Sequence, residues 1–218
     1  MNFPIRAVLF DFDLTLADSS GAIIECVQHA FAEMQLLKPK AEDVRRSIGL
    51  PLPETYTFLG GSDEPAERAL FAKLFVQRAD EVMVMQTEFY AGVRELFEGL
   101  KSNGLKIGIV STKFRYRIEA ILKKGGFEAY IDLIIGSEDV KSHKPDPEGI
   151  VKALRELSVQ SAETLYVGDH PMDAETATRA GVQFLGVLSG TTDADAWRVL
   201  GQASIREPLT EIVGLVVN

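Results

Sequence analysis

The chain has a single cysteine, Cys26, among 218 residues. That excludes an intramolecular disulfide and fits a reducing compartment. Cys26 lies among apolar residues of a helical pattern with no His or basic residue arranged near it, so it is read as packing and not as a nucleophile. There is no excess of positive charge. Lys and Arg number 23 against 32 Asp and Glu, a net charge of −9. An acidic chain without a basic stripe argues against binding to nucleic acid or an anionic membrane. An anionic ligand must then be held by local cations or by a metal. No apolar run approaches transmembrane length. The segment Met1–Arg6 has neither the apolar stretch nor the cleavage site of a signal peptide, and a cytoplasmic protein is expected. Internal repeats and low-complexity segments are also absent.

The remaining composition is ordinary for a globular protein, with 46% hydrophobic and 25% charged residues. The length suits one large domain, or a core with a smaller lobe. Short runs rich in Val, Ile, Leu and Phe predict buried parallel strands at Ala7–Phe12, Lys106–Ser111, Leu133–Gly136, Thr164–Gly168 and Phe184–Leu188. Helical patterns alternate with them. Val93, Leu96, Phe97 and Leu100 share one face, and Gly104 follows as a stop. Ile118, Ile121 and Leu122 mark another helix, ended by Gly125-Gly126. Asp146-Pro147 opens a third, with Ile150, Val151, Leu154 and Leu157 as its face. A fourth covers Asp173 to Ala180 and stops at Gly181. Strand–helix alternation with short connections predicts an α/β, Rossmann-like doubly wound parallel sheet.

One block breaks the alternation. Residues 19–85 read as helices without a strand. Ile23, Ile24, Val27, Phe31 and Met34 form one amphipathic face. Ala66, Leu70, Leu74 and Val82 form another. The expected organisation is a catalytic core of residues 1–18 and 86–218, with 19–85 inserted after the first strand as a helical cap.

The chemistry concentrates at strand ends. Asp11 and Asp13 follow the first strand, and carboxylates beside a buried strand are costly unless paired or bound to a cation. Ser111 and Thr112 follow the strand that begins at Lys106. Lys144 stands in His143-Lys144-Pro145-Asp146-Pro147. Asp169 and Asp173 lie in Gly168-Asp169-His170-Pro171-Met172-Asp173. In a parallel sheet these ends converge on one edge, where open α/β sheets bind ligands. Oxygen ligands without a His/Cys set favour Mg²⁺ over Zn²⁺. A hydroxyl, a lysine and backbone N–H groups suit a phosphate. Together they read as phosphoryl transfer.

Asp-x-Asp-x-Thr, a hydroxyl after a later strand, Lys-Pro, and Gly-Asp-x-x-x-Asp, in that order, resemble the haloacid dehalogenase superfamily. The helical block resembles its C1-type cap, and the resemblance spans essentially the whole chain. It implies Asp11 as the nucleophile that becomes an aspartyl-phosphate. Asp13 would be the general acid and then the base. Ser111 and the Thr112 backbone would hold the phosphoryl oxygens, and Lys144 would neutralise the nucleophile and the transferring group. Mg²⁺ would be bound by Asp11, the Asp13 carbonyl, Asp169 and Asp173. Leu14 stands where many relatives have Gly. Motif II reads Ser111-Thr112-Lys113 where Thr-Asn-Lys is common.

Substrate selection is expected from the cap segment Arg45-Arg46-Ser47-Ile48-Gly49-Leu50-Pro51. Arg45 or Arg46, beside the Gly49 turn, could hold a second anionic group, and the sequence does not choose between them. His29 and His143 are read as packing or turn residues, and His170 as a neighbour of the metal ligands. Trp197, Phe58, Phe71 and Phe75 are expected in a core. The resemblance is nearest to phosphoglycolate phosphatases, acting on a small phosphorylated metabolite as a monomer or homodimer. Inorganic pyrophosphatase, nucleotidase, β-phosphoglucomutase and a non-catalytic, receiver-like signalling module stand as alternatives.

Overall fold

The computed structural model describes residues 4–205 and 209–217. The first three residues of the N-terminal segment discussed above lie outside the described residues. The chain divides into two compact units: Asp18–Glu88 forms one, and the chain before and after it forms the other.

The larger unit is built on β1 (Ala7–Phe10), whose four residues are all buried. The chain passes into the smaller unit through β2 (Ala17–Asp18) and returns through β3 (Glu88–Phe89). It then adds β4 (Lys106–Val110), β5 (Leu133–Ile135), β6 (Thr164–Gly168), β7 (Gln183–Val187) and β8 (Ser204–Ile205). The main sheet has the order β5-β4-β1-β6-β7-β8, and its pairings are parallel. Alternate residues of β1 face opposite sides, as the period of a strand requires. Ala7 and Leu9 join a buried cluster with Ile150, Ala153 and Ala177. Phe10 meets Phe97 edge-on, with ring centroids 6.1 Å apart.

The smaller unit is helical: α1 (Ser20–Glu33), α2 (Ala41–Arg46), α3 (Leu52–Phe58) and α4 (Pro65–Gln86). Its core is aromatic. Tyr56 stacks on Phe71 at 5.2 Å, and Phe31 lies 5.6 Å from Tyr56 and 5.7 Å from Phe71. The expected α4 face through Leu70 is displaced by one residue. Phe71, Phe75, Ala79 and Met83 are buried, while Leu70 is exposed. The i, i+4 row that carries the aromatic rings buries the larger apolar area, so it wins the inward position. Phe58, expected in the core, is 54% exposed at the last residue of α3.

Between the strands run α5 (Val93–Ser102), α6 (Arg115–Gly125), α7 (Glu148–Leu157) and α8 (Pro171–Ala180), followed by α9 (Ala194–Val199) and α10 (Glu211–Val216). The α7 helix begins one residue later than expected, and Asp146 Oδ1 accepts the Glu148 N–H at 2.9 Å. Its buried face is Ile150, Ala153 and Leu157, and Val151 points to solvent. One residue turns a helix by about 100°, so Val151 cannot share the face of Ile150. Trp197, Phe71, Phe75 and Cys26 are buried as expected.

Candidate active site

Register brings the chemistry together. Phe10 pairs with Ile109 and with Val167, so Asp11 stands level with the ends of both neighbouring strands. The Asp11 N–H donates to the Val167 carbonyl at 2.9 Å, and the Ser111 N–H to the Ile135 carbonyl at 3.0 Å. Beyond Phe12 the chain turns sharply, with the Leu16 N–H returning to the Phe12 carbonyl at 3.0 Å. Leu14 sits at φ +60° in this turn, a conformation that favours glycine. It is held there by its own N–H on the Ala17 carbonyl and by the Ser189 hydroxyl on its carbonyl. The strand therefore ends at Phe10, two residues short of the expected boundary, and Asp11 and Asp13 lie between it and the turn at Leu14–Leu16, with Asp13 bridging to Ala17.

Asp11, Asp169 and Asp173 offer carboxylate oxygens that all lie within 4.8 Å of one another, and all three residues are buried. Lys144 stands among them, with Nζ 2.7 Å from Asp173 Oδ1 and 2.9 Å from Asp11 Oδ1. Its aligned hydrogen bond goes to Asp173, and Asp11 Oδ1 is left without a hydrogen-bond partner. Three buried carboxylates thus face one ammonium.

Their proton affinities follow from that imbalance. Burial pushes the Asp169 carboxyl well up, and the charges of Asp173 and Asp11 push it further. Burial also raises Asp11, against the pull of Lys144. For Lys144 burial acts downward, but Asp11 and Asp173 outweigh it and hold the ammonium charged above its ordinary range. The all-oxygen donor set and the excess of three buried carboxylates over one ammonium fit a hard divalent cation.

The surroundings fix these ligands. Thr15 Oγ1 donates to Asp169 Oδ1 at 3.0 Å. The Tyr166 hydroxyl lies 2.9 Å from the Val110 carbonyl and 3.2 Å from Asp173 Oδ1, between which its proton is shared. Asp173 also accepts the His170 N–H at 3.1 Å, while His170 Nδ1 accepts the Met172 N–H at 3.1 Å. The pair forms a capping box at the start of α8. His170 thus acts on the cluster through Asp173. Two glycines leave room: a Cβ at Gly168 would stand 2.5 Å from Asp173 Oδ2, and one at Gly190 would stand 2.1 Å from Asp169 Oδ2.

The other expected residues fall in two places. Ser111 is buried at the end of β4, and it lines a small cleft with Thr112, His143 and Lys144. The Asp13 carboxylate is not in the triad; its Oδ1 accepts from Lys113 Nζ at 2.7 Å. In the helical unit the two arginines differ. Arg46 is spent on Asp43 and Glu42 at the surface. Arg45 is half-buried and donates to Ser20 Oγ at 2.8 Å, and that hydroxyl donates to Asp18 Oδ1 at 2.6 Å. Gly49 has φ +101°.

Sequence reasoning gave Lys113 no role beyond its place in motif II, and passed over Tyr166 and the Ser189-Gly190 loop. Lys113 carried a signal, as a charged residue directly after a buried strand and its terminal hydroxyl. Tyr166 carried one too, as the hydroxyl in an apolar strand. Gly190 carried none, because its need for space arises only when Asp169 is placed beside it.

Among the described residues, no helix is long and apolar enough to cross a membrane. The family model described as "Haloacid dehalogenase-like hydrolase" matches residues 8–187. The chain is 32% identical over 201 residues to a protein of Bacillus velezensis named pyrophosphatase PpaX, covering 92% of this chain and 88% of that protein. A crystal structure from Bacteroides fragilis, by name a haloacid dehalogenase-like hydrolase, superposes with a TM-score of 0.92 at 36% identity over 95% of this chain and 99% of the other. One from Lactobacillus plantarum, whose name assigns it as a phosphoglycolate phosphatase, gives 0.85 at 25% identity over 98% and 100%. With its four strand-end loops, its buried carboxylate triad and a match over most of its length, the chain belongs to the haloacid dehalogenase-like hydrolase family.

Proposed function

We propose that the protein is a Mg²⁺-dependent phosphatase that hydrolyses a small phosphomonoester through an aspartyl-phosphate on Asp11. The observation that carries this reading is the buried Asp11–Asp169–Asp173 cluster with the single ammonium of Lys144 against two of its carboxylates. Asp11 attacks phosphorus, and the ester oxygen leaves with the bonding pair and takes a proton from Asp13. Asp13 then takes a proton from water, whose oxygen attacks phosphorus and releases Asp11. Lys144, the Ser111 hydroxyl and the Thr112 backbone hold the phosphoryl oxygens. Mg²⁺, held by Asp11, Asp169, Asp173 and the Asp13 carbonyl, would offset the negative charge on the phosphoryl group. The helical unit takes the role of the C1-type cap, and within it Arg45, not Arg46, selects substrates that carry a second anion. Arg45 is the better candidate because its guanidinium is half-buried and already ordered by Ser20, while Arg46 is neutralised at the surface.

The preferred ester is phosphoglycolate-like. A second reading, inorganic pyrophosphate, is favoured by the name of the 32%-identical relative. Both substrates carry a second anionic group beside the transferred phosphoryl. The test is phosphate release with and without Mg²⁺ from 2-phosphoglycolate, pyrophosphate, nucleoside monophosphates and hexose phosphates. Asp11→Asn should lower turnover about a thousandfold or more. No Mg²⁺-dependent release from any of these, or substantial turnover by Asp11→Asn, would overturn the reading.

A further inference from the structure

Resting on the phosphatase reading, we propose that Lys113 is a positioning residue for Asp13, and that its ammonium holds the Asp13 carboxyl group in the orientation that exchanges a proton with the leaving group and with water. Lys113 follows Ser111-Thr112 at the end of β4, and its side chain is 3% exposed against 12% for that of Asp13. An ammonium this deep carries a desolvation cost that a surface lysine avoids, and it is tolerated where an anion meets it. The anion is Asp13 Oδ1, at 2.7 Å.

The backbone of Lys113 is fixed at both ends of the residue. Its N–H donates to Ser111 Oγ at 3.3 Å, and its carbonyl accepts the Ser137 N–H at 3.0 Å. The stem leads to an ammonium 5.8 Å from the centre of the Phe12 ring, which supplies a cation–π contact. The same lysine therefore reads the position of Phe12, Asp13 and Ser111 together. Asp13 bridges to Ala17 at the entry to the turn after the strand, next to Leu14 at φ +60°, and outside the carboxylate triad, so its carboxylate is oriented by other groups than Lys144.

The contact has a chemical consequence, because it sets the orientation of the Asp13 carboxyl group. In the first half-reaction the P–O ester bond breaks, its electron pair stays on the leaving oxygen, and that oxygen receives a proton from Asp13. In the second, Asp13 receives a proton from water as the new P–O bond forms and the Asp11–phosphorus bond breaks. Lys113 exchanges no proton in either step. It acts by holding Asp13 where both transfers occur.

General acid catalysis matters in proportion to how poor the leaving group is. Lys113→Met should therefore lower kcat/KM for an alkyl phosphate such as glycerol phosphate by about a hundredfold, a typical loss for a displaced acid. For p-nitrophenyl phosphate, whose leaving group needs no proton, kcat/KM should fall less than about threefold. Turnover of the aryl ester should then be limited by hydrolysis of the phospho-enzyme, seen as a burst of p-nitrophenolate in rapid mixing. Lys113→Arg should recover part of the alkyl-ester rate. Because Lys113 acts through Asp13, the Asp13→Asn/Lys113→Met double variant should be no slower than Asp13→Asn.

Parallel losses on both esters, or multiplying losses in the double variant, would overturn the positioning role. If Lys113→Met does not fold, Lys113→Arg decides by the same leaving-group contrast. A wild-type enzyme inactive on both esters and on pyrophosphate would instead overturn the phosphatase reading, and this inference with it. An active wild type with an undisturbed Lys113→Met overturns this inference alone.

Discussion

At the scale of single residues, the site is an electrostatic problem left open by the polypeptide. Asp11, Asp169 and Asp173 are each buried, and one lysine serves them. Burial and mutual repulsion raise Asp169 and Asp11 above ordinary carboxylates. A group with a raised folded-state value contributes stability that is full below its unfolded value, about 3.9, and lost as pH rises through the folded value. The contribution of these two carboxylates to the stability of metal-free protein should therefore fall as pH rises from about 4 upward, against the opposite trend from Glu25, Glu67 and Glu148, whose values are lowered. The stabilisation given by added Mg²⁺ should grow over the same interval. Thermal unfolding of wild type and Asp169→Asn across this range, with EDTA or with Mg²⁺, measures both, and a metal-free difference between them that does not grow with pH would contradict the repulsion. Asp169→Asn removes one charge from the cluster. It should melt a few degrees higher than wild type without metal, about 2–4 °C per kcal/mol recovered, while losing the Mg²⁺ response.

At the scale of elements, Asp11, Ser111 and Asp169 owe their positions to how a strand ends, Asp173 to the start of α8 and Lys144 to the loop before α7. The β1 strand is followed by a tight turn and β6 by a capped helix, and the loop after β7 closes over Asp169. That last loop works by having no side chain: at Gly190 a Cβ would press on Asp169 Oδ2 and also lie 2.7 Å from its Cβ and Cγ. The carboxylate would have to rotate away from Thr15 and from the triad. Gly190→Ala should weaken Mg²⁺ activation about ten- to hundredfold, the usual cost of displacing a metal ligand's support. The measurement is a Mg²⁺ titration of activity, and an unchanged midpoint would mean that the loop yields in place of Asp169. The capping box of His170 and Asp173 shows the same economy, since one carboxylate starts α8 and joins the triad.

At the scale of the molecule, the net charge of −9 and the anionic substrate are reconciled by separation of labour. The carboxylate cluster and its lysines belong to the sheet unit. The arginine proposed for selection belongs to the helical unit, on α2. Loss of Arg45 should then change which substrate is used, and not the chemistry. Arg45→Ala should raise KM for 2-phosphoglycolate or pyrophosphate about 10- to 100-fold, the worth of a hydrogen bond to a charged group. It should leave kcat/KM for p-nitrophenyl phosphate within about twofold, and Arg46→Ala should change neither by more than that. Steady-state kinetics on the two substrate types separates the cases, and equal losses with Arg46→Ala would remove Arg45 from its role.

Much of this protein was legible in its residue order. Apolar runs of four to six residues, rich in β-branched and aromatic side chains and each followed by small or polar ones, are too short for a buried helix and read as buried strands. Asp11, Ser111 and Asp169 stand out in the sequence because each directly follows such a run, and a parallel sheet places all its strand ends of one kind on one edge. Tertiary structure decided what depends on distance. It put Leu70 outside and aligned Ala79 and Met83 with the expected Phe71 and Phe75 on the buried face of α4, where Phe71 meets the rings of Phe31 and Tyr56. It turned Phe58 and Val151 to solvent. It separated Arg45 from Arg46 and gave Lys113 to Asp13, across 100 positions of chain. Propensity and pattern act over one turn or one strand, whereas the partner of a buried charge is fixed only when distant segments meet and leave it no water.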